Sequence, residues 1–232
     1  MEAGVTSAMR LSVIVPVLNE AHALPALLEY LAPLHRSGAE VLLVDGGSED
    51  GSAAIAIGAG FEVIRAERGR ARQMNAGAAA VHGDVLLFLH ADTRLPDGAV
   101  QLIDTALADG RHVWGRFDVE FDVPTWIMAA TAFGMNLRSR LSGIATGDQA
   151  LFMTRAAFDG VGGFPDQPLM EDVEISGRLR KLSRPACVRR PVVTSARRWQ
   201  ARGAWRTIFL MWRLRLDYWL GASPADLARR YR

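Results

Sequence analysis

Residues 84–93 read DVLLFLHADT, an apolar run over residues 85–89 that ends in His90, Ala91 and Asp92. Five apolar residues in succession mark a strand covered on both faces, because a half-exposed strand alternates. Its polar end is therefore the open end. In an open α/β sheet ligands gather beyond the carboxyl ends of the strands, so the imidazole of His90 and the carboxylate of Asp92 are placed to hold a cation or a polar ligand.

Working upstream, residues 11–17 (LSVIVPV) are β-branched and apolar, with Pro16 near the end where a strand tolerates it. Asn19-Glu20 opens a helical segment to about Arg36, carrying Leu24, Leu27, Leu28 and Leu31 on one face. Residues 41–44 form a second apolar strand running into Asp45-Gly46-Gly47-Ser48-Glu49-Asp50. Glycines there let the backbone turn close to a ligand, Ser48 suits the N-cap of the next helix, and Asp45 falls on the same edge as Asp92. A third strand, residues 61–65, leads into Gly69-Arg70-Ala71-Arg72, a helix start whose free N–H groups and guanidinium groups suit an anion. After the opening stretch, Pro96-Asp97 starts a helix to about Ala108. Four apolar strands alternating with three helices predict an α/β fold with a mostly parallel sheet covered on both faces. A hydride-transferring Rossmann enzyme is disfavoured, since no glycine-rich turn follows the first strand, and a P-loop is excluded because no G-x-x-x-x-G-K-[ST] occurs.

Downstream the character changes. Residues 113–123 alternate through Val113, Gly115, Phe117, Val119 and Phe121, as a strand with one wetter face does. A long helix with Trp126, Met128, Phe133 and Leu137 follows, ending by Gly143. Gly147-Asp148-Gln149 precedes a strand over residues 150–153, and a glycine-rich loop at residues 160–164 leads to Met170-Glu171-Asp172-Val173-Glu174 at a helix start. Carboxylates there interact well with the helix dipole, worth about 0.3–1 kcal/mol each, and the glycine-rich lead-in presents the pair to a pocket. Residues 207–220 (TIFLMWRLRLDYWL) are too short and too charged to span a membrane, which takes about 20 apolar residues. They read as an amphipathic helix that docks on the core, the alternative being one that lies on a membrane surface.

Composition sets the remaining bounds. A chain of 232 residues with 50% hydrophobic content buries a sizeable core. We read one domain over residues 1–200, with a nucleotide-binding half at about 10–110 and an acceptor half at about 111–200, followed by a helical extension over 201–232. The single cysteine, Cys187, excludes a disulfide within the chain, and no secretory signal is legible at the start, so the expected location is the cytoplasm. The net charge of +2 conceals an asymmetry: from Ser176 on there are 15 Lys/Arg against 2 acids, leaving 12 against 23 in residues 1–175. Such a basic tail faces phosphate groups or anionic lipid, at the inner face of the membrane if the helix lies there. No nucleic-acid motif accompanies it.

Together these stretches resemble the family 2 glycosyltransferases of GT-A fold. The matching pieces are Val13-Ile14-Val15-Pro16-Val17-Leu18-Asn19-Glu20, Val44 through Gly51, Arg72-Gln73-Met74-Asn75-Ala76-Gly77, His90-Ala91-Asp92, Gly162-Gly163-Phe164 and Glu171-Asp172. More narrowly, GRARQMNAG, LFLHADT and SARRWQARGAWRT resemble the small bacterial transferases associated with radical-SAM and selenium-domain genes. The resemblance implies that Pro16, Asn19, Glu20, Asp45, Gly46 and Ser48 line a nucleoside pocket, with Asp45 accepting from the base. It puts Arg70, Arg72, Asn75 and Ala91 near the nucleotide or its diphosphate, and Arg198 with Trp199 in an element that closes over it.

The same resemblance makes Asp92 the last acid of a metal-binding D-x-D motif, whose first position here is His90. A His-x-Asp pair shifts the preference from Mg²⁺ toward Mn²⁺. Breaking a sugar–phosphate bond leaves charge on a diphosphate, which a divalent cation and arginines stabilise. The acceptor hydroxyl loses its proton as it attacks, and Asp172 is the candidate base, with Glu171 orienting it or substituting for it. The implied activity is sugar transfer with inversion from a nucleoside-diphosphate sugar, a UDP-sugar first, to a hydroxyl acceptor that is small or lipid-linked. Trp114, Phe117, Trp126 and Gln149 are candidate walls of the acceptor pocket. The rival readings are a nucleotidyltransferase on a similar sheet and a membrane-associated protein that binds nucleotide without turnover.

Overall fold

A computed structural model describes residues 9–231, apart from the side chain of Arg198. The strands are β1 (Leu11–Val17), β2 (Glu40–Asp45), β3 (Glu62–Arg65), β4 (Val85–Phe88), β5 (Thr93–Arg94), β6 (Trp114–Phe121), β7 (Phe152–Thr154) and β8 (Ala186–Thr194). The helices of the first half are α1 (Leu24–Arg36), α2 (Ser52–Gly58), α3 (Arg70–Ala80) and α4 (Ala99–Leu107). Those of the second are α5 (Trp126–Ser142), α6 (Arg155–Gly160), α7 (Glu171–Leu179), α8 (Arg197–Arg202), α9 (Ala204–Trp219) and α10 (Pro224–Tyr231). One eight-stranded sheet runs β3-β2-β1-β4-β7-β6-β8-β5. Strands β3, β2, β1 and β4 are mutually parallel, whereas β7 is antiparallel to both β4 and β6.

The continuous apolar runs follow from this arrangement. In β1, Val13, Val15 and Val17 pack with Leu24, Leu27, Leu28 and Leu31 of α1, while Ile14 faces Met74 and Ala78 of α3 on the other side. Neither face has a wet phase, so the strand carries no polar alternation. Gly77 of α3 stands where a methyl group would collide with Ile14, which lets the helix lie close on the sheet.

Three sequence expectations change. Ser48 does not cap the next helix: α2 begins at Ser52 behind Gly51, whose φ of 87° makes the turn, and the Ser48 hydroxyl instead accepts from the Asn19 N–H at 2.9 Å. The wetter face of β6 is dry over its first half, where Trp114 and Arg116 are fully buried. Trp114 joins the second core, and Arg116 is paired with Asp118, so a charged residue hides in a covered strand. The strand predicted at 150–153 starts at Phe152, because Gly147–Gln149 makes a 3-10 turn and Ala150 takes a left-handed φ of 47°.

The C-terminal helices dock by one face. Leu214 of α9 and Leu227 of α10 bury against Met170, and the Tyr218 hydroxyl donates to Glu174 at 3.0 Å. The opposite face of α9 is open: Phe209, Trp212 and Trp219 are 72%, 70% and 82% exposed. Among the described residues no helix is long and apolar enough to cross a membrane.

Candidate active site

The carboxyl ends of β1, β2 and β4 point the same way, so residues 18–20, 45–50 and 89–92 share one edge. The first two segments are bound together by their own polar groups. Asn19 Oδ1 accepts from the Glu49 N–H, the Glu20 N–H donates to Ser52 Oγ and the Ala21 N–H donates to Asp50, each at 2.9 Å. Asp45, 6% exposed, accepts from the N–H groups of Gly47 and Ser48 at 3.0 and 3.1 Å, which fixes the turn that follows β2. Gln73 was quoted in the sequence without a role. Its buried amide donates to the carbonyls of Val17 and Val44, both at 2.8 Å, and stitches the ends of β1 and β2 together. Gly46 leaves the room, since a Cβ there would lie 2.9 Å from that amide.

A second group closes on this edge from the later half of the chain. His90 turns Nδ1 to Asp148 at 3.2 Å, and its Nε2 is buried without a partner against Gly147, where any side chain would strike the ring. In the tautomer selected by that contact Nδ1–H donates to the carboxylate. The Gly147 N–H in turn donates to Asp172 Oδ2 at 2.8 Å, and the Val173 N–H to Asp172 Oδ1 at 2.7 Å. Both oxygens of Asp172 are oriented, and each keeps a further lone pair. Glu171 beside it is almost wholly buried and faces Arg70 at 3.5 Å. Burial, and then the like charge of Asp172, push the Glu171 carboxyl above its ordinary range against the pull of Arg70 and His90. Burial works against the Arg70 cation, but Glu171, Asp148 and Asp172 more than offset it and raise its pKa. At the rim, Arg197 reaches Glu20 at 3.2 Å and brings α8 over the end of β1.

Backbone strain collects here. The non-glycine residues with positive φ among those described are Asn19 (54°), Ala150 (47°) and Met170 (66°). Each lies within two residues of Asn19, Asp148 or Glu171, as expected where packing enforces a functional geometry.

The structure thus brings Asn19, Glu20, Asp45, Gly46, Ser48, Ala91 and Asp92 to one edge, with Arg70, Glu171 and Asp172 placed by α3 and α7. Pro16 holds its strand position opposite Val44. Other residues expected at the site have structural partners. Asn75 is a clamp: its amide donates to the Phe164 carbonyl at 2.8 Å and accepts from the Phe164 N–H at 2.9 Å, so both ends serve the glycine-rich loop. Arg72 is held by Asp166 and Glu67, both at 2.8 Å, because two carboxylates flank its helix start. Trp199 packs edge-on against Phe121 and lines an apolar groove rather than the strand edge. Trp114, Phe117 and Gln149, expected as acceptor walls, are wholly buried in the core. The expectation for the Arg198 side chain falls outside the described residues.

A divalent cation was expected on His90 and Asp92. His90 spends Nδ1 on Asp148 and holds Nε2 unbonded against Gly147, and among the described residues no three His, Cys, Asp or Glu side chains gather to hold a metal. Asp92 offers one half-buried carboxylate at the strand edge. Magnesium-like ions use one or two carboxylates and complete their shell with substrate phosphates and water, so this donor set fits such an ion together with a diphosphate.

The family model for glycosyl transferase family 2 matches residues 12–163. Over 117 residues the chain is 29% identical to an undecaprenyl-phosphate 4-deoxy-4-formamido-L-arabinose transferase of Yersinia enterocolitica, covering 46% of this chain and 36% of that one. Over 108 residues it is 36% identical to a dolichyl-phosphate beta-glucosyltransferase of Drosophila melanogaster, covering 38% and 33%. The chain therefore spans about a third of the length of these curated relatives. A mannosyltransferase from Pyrobaculum calidifontis, solved with GDP-Man and Mn²⁺, superposes with a TM-score of 0.60 at 21% identity, covering 82% of this chain and 57% of that one.

Proposed function

Because the chain belongs to glycosyl transferase family 2, we propose that it transfers a sugar, with inversion, from a nucleoside-diphosphate sugar, a UDP-sugar first, to an acceptor hydroxyl. The observation that carries the reading is the convergence on one strand edge of the Asp45 turn, Asp92, and the Arg70–Glu171–Asp172 group. Asn19, Asp45 and Ser48 frame the nucleoside, on a backbone already fixed by their mutual hydrogen bonds. Such preorganisation lowers the ordering cost of binding. Arg70 faces the developing charge of the leaving group. Asp92 would hold Mn²⁺ or Mg²⁺, whose charge offsets that of the departing diphosphate.

Asp172, oriented by the Gly147 N–H, takes the proton of the attacking hydroxyl on its remaining lone pairs. Glu171 lies ion-paired to Arg70 and acts through position rather than by proton transfer. The curated relatives are named for undecaprenyl-phosphate and dolichyl-phosphate transfer, which supports an acceptor carried on a lipid. The family assignment removes the nucleotidyltransferase alternative.

The test separates turnover from passive binding. UDP or GDP is titrated with and without Mn²⁺, and release of the nucleoside diphosphate from its sugar is followed with an acceptor extract. Asp172→Asn should keep nucleotide affinity and lose about 10²- to 10⁴-fold in release, the range of a general base. Nucleotide binding with full release in that variant contradicts the assignment of Asp172, and absence of any nucleotide binding contradicts the reading as a whole.

A further inference from the structure

Between α5 and α9 lies a cavity of about 340 Å³ that the strand-edge account does not use. Its walls are apolar: Trp126, Met135, Trp199, Trp205, Met211 and Trp212. Trp126 and Trp205 meet across it edge to face, with ring centroids 6.1 Å apart. Walls so rich in aromatic and aliphatic side chains suit a hydrocarbon chain.

The inner end is different. Arg138 of α5 and Arg215 of α9 line the same cavity, and Nε and Nη2 of Arg138 and Nε of Arg215 are buried without a hydrogen-bond partner. Neither guanidinium forms an ion pair among the described residues. Burial lowers both pKa values, and the repulsion of Arg215 adds to the fall at Arg138, which is pushed down to about 10, while the charges of Asp172 and Asp148 act in the opposite direction on both. Both stay charged at neutral pH. Two desolvated guanidinium groups side by side, neither in an ion pair, cost folding free energy that the charges of Asp172 and Asp148 offset in part and a bound anion offsets further. Planar guanidinium forks match phosphate oxygens in pairs, and the walls exclude a hydrated inorganic ion from most of the cavity. The volume is too small for a peptide helix, whose diameter alone is about 10 Å.

The cavity also touches the transfer site. Asp148, the partner of His90, is one of its lining residues, and Asp172 lies near enough to favour the charge of both arginines. Around the outer end Trp126, Phe133, Phe209, Trp212 and Trp219 expose between 68% and 82% of their surface. Exposed aromatic rings on the outer faces of α5 and α9 mark a surface that meets another apolar phase.

We propose that the α5–α9 groove binds the lipid-phosphate part of the acceptor, an isoprenoid-type alkyl phosphate, with its chain along the aromatic walls and its phosphate on Arg138 and Arg215. The word acceptor rests on the transferase reading above, whereas the binding site stands without it. The arginines hold the anchor phosphate, and Asp172 remains the base for the hydroxyl that the lipid carries.

Farnesyl phosphate is the probe, titrated below its aggregation limit into the full chain and followed by the fluorescence of the groove tryptophans. It should bind at least about tenfold more tightly than farnesol, as expected for charge-assisted hydrogen bonds to a buried site, and more tightly than inorganic phosphate. Arg138→Met with Arg215→Met should reduce it to the affinity of farnesol while UDP affinity stays within about twofold, since both stems still fill the groove. Trp212→Ala, with both arginines intact, should weaken farnesol and farnesyl phosphate alike. Equal binding of alcohol and phosphate, a double variant that keeps the preference, or loss of UDP binding in that variant overturns the proposal. So does binding that occurs only on vesicles of two-chain anionic phospholipid. Failure of UDP and GDP to bind while farnesyl phosphate still does would strike the transferase reading and leave the groove assignment standing.

Discussion

The strand edge and the α5–α9 groove treat polar side chains in opposite ways. At the edge, Asn19, Asp45, Asp50, Ser52 and Gln73 all bond to backbone groups of neighbouring loops. In the groove, Arg138 and Arg215 keep nitrogen atoms buried and unbonded among aromatic rings. The loops of the first arrangement are held by these bonds before any ligand arrives, although His90 Nε2 beside them stays unbonded. The second is completed only by one. A polar group that stabilises the fold and a polar group that waits for a ligand have the same chemistry and differ in whether the partner is on the chain.

Stability measurements sharpen that contrast. Asp45→Ala should have the largest effect, costing about 1–3 kcal/mol by leaving the Gly47 and Ser48 N–H groups without their acceptor. Urea unfolding reads this directly, and nucleotide affinity should fall with it. The Arg138→Met, Arg215→Met protein should move the other way, neutral or more stable by about 1–2 kcal/mol, because a buried unpaired cation is replaced by an apolar chain. A matching loss in that variant would place the arginines among the groups that hold the fold together.

The smallest effect concerns pH. The Glu171 carboxyl is raised from its ordinary value of 4.5 by burial and by Asp172. The unfolded chain therefore releases this proton before the folded one does. The stability tied to the protonated form is fully present below pH 4.5 and is lost as pH rises through the folded value. Glu171→Gln should remove that decline, so its advantage over the wild type should be larger at pH 7 than at pH 4. Unfolding at the two pH values measures it, and a constant difference would place the ionised carboxylate in a compensated environment.

Much of the first half was legible because continuous apolar runs, glycine turns and leucine spacing each admit few structures. Residues 85–89 announce a doubly covered strand, and the structure shows why: Val85, Leu87 and Leu89 pack on one face, Leu86 and Phe88 on the other. The edge position of Asp45 and Asp92 follows from strand direction alone. The partners of Arg72 and Asn75 were not legible, because a helix start rich in polar residues reads the same whether its side chains face a ligand or a neighbouring loop. Asp166 and Phe164, which occupy them, lie some ninety positions further along. Gln73 carried a faint signal as a polar residue on the buried side of α3. The groove had none: Arg138 and Arg215 stand on two helices whose contact is made by tertiary packing, and arginine is nearly the only basic residue in the chain.

The central claim is that one nucleotide site draws on separated segments of the early chain. Hydrogen exchange of the full chain, with and without UDP and Mn²⁺, tests it most directly. The account predicts protection concentrated together at residues 18–20, 45–50 and 90–92, with α5 and α9 unchanged. Protection confined to α5 and α9, or to only one of the three edge segments, would contradict it.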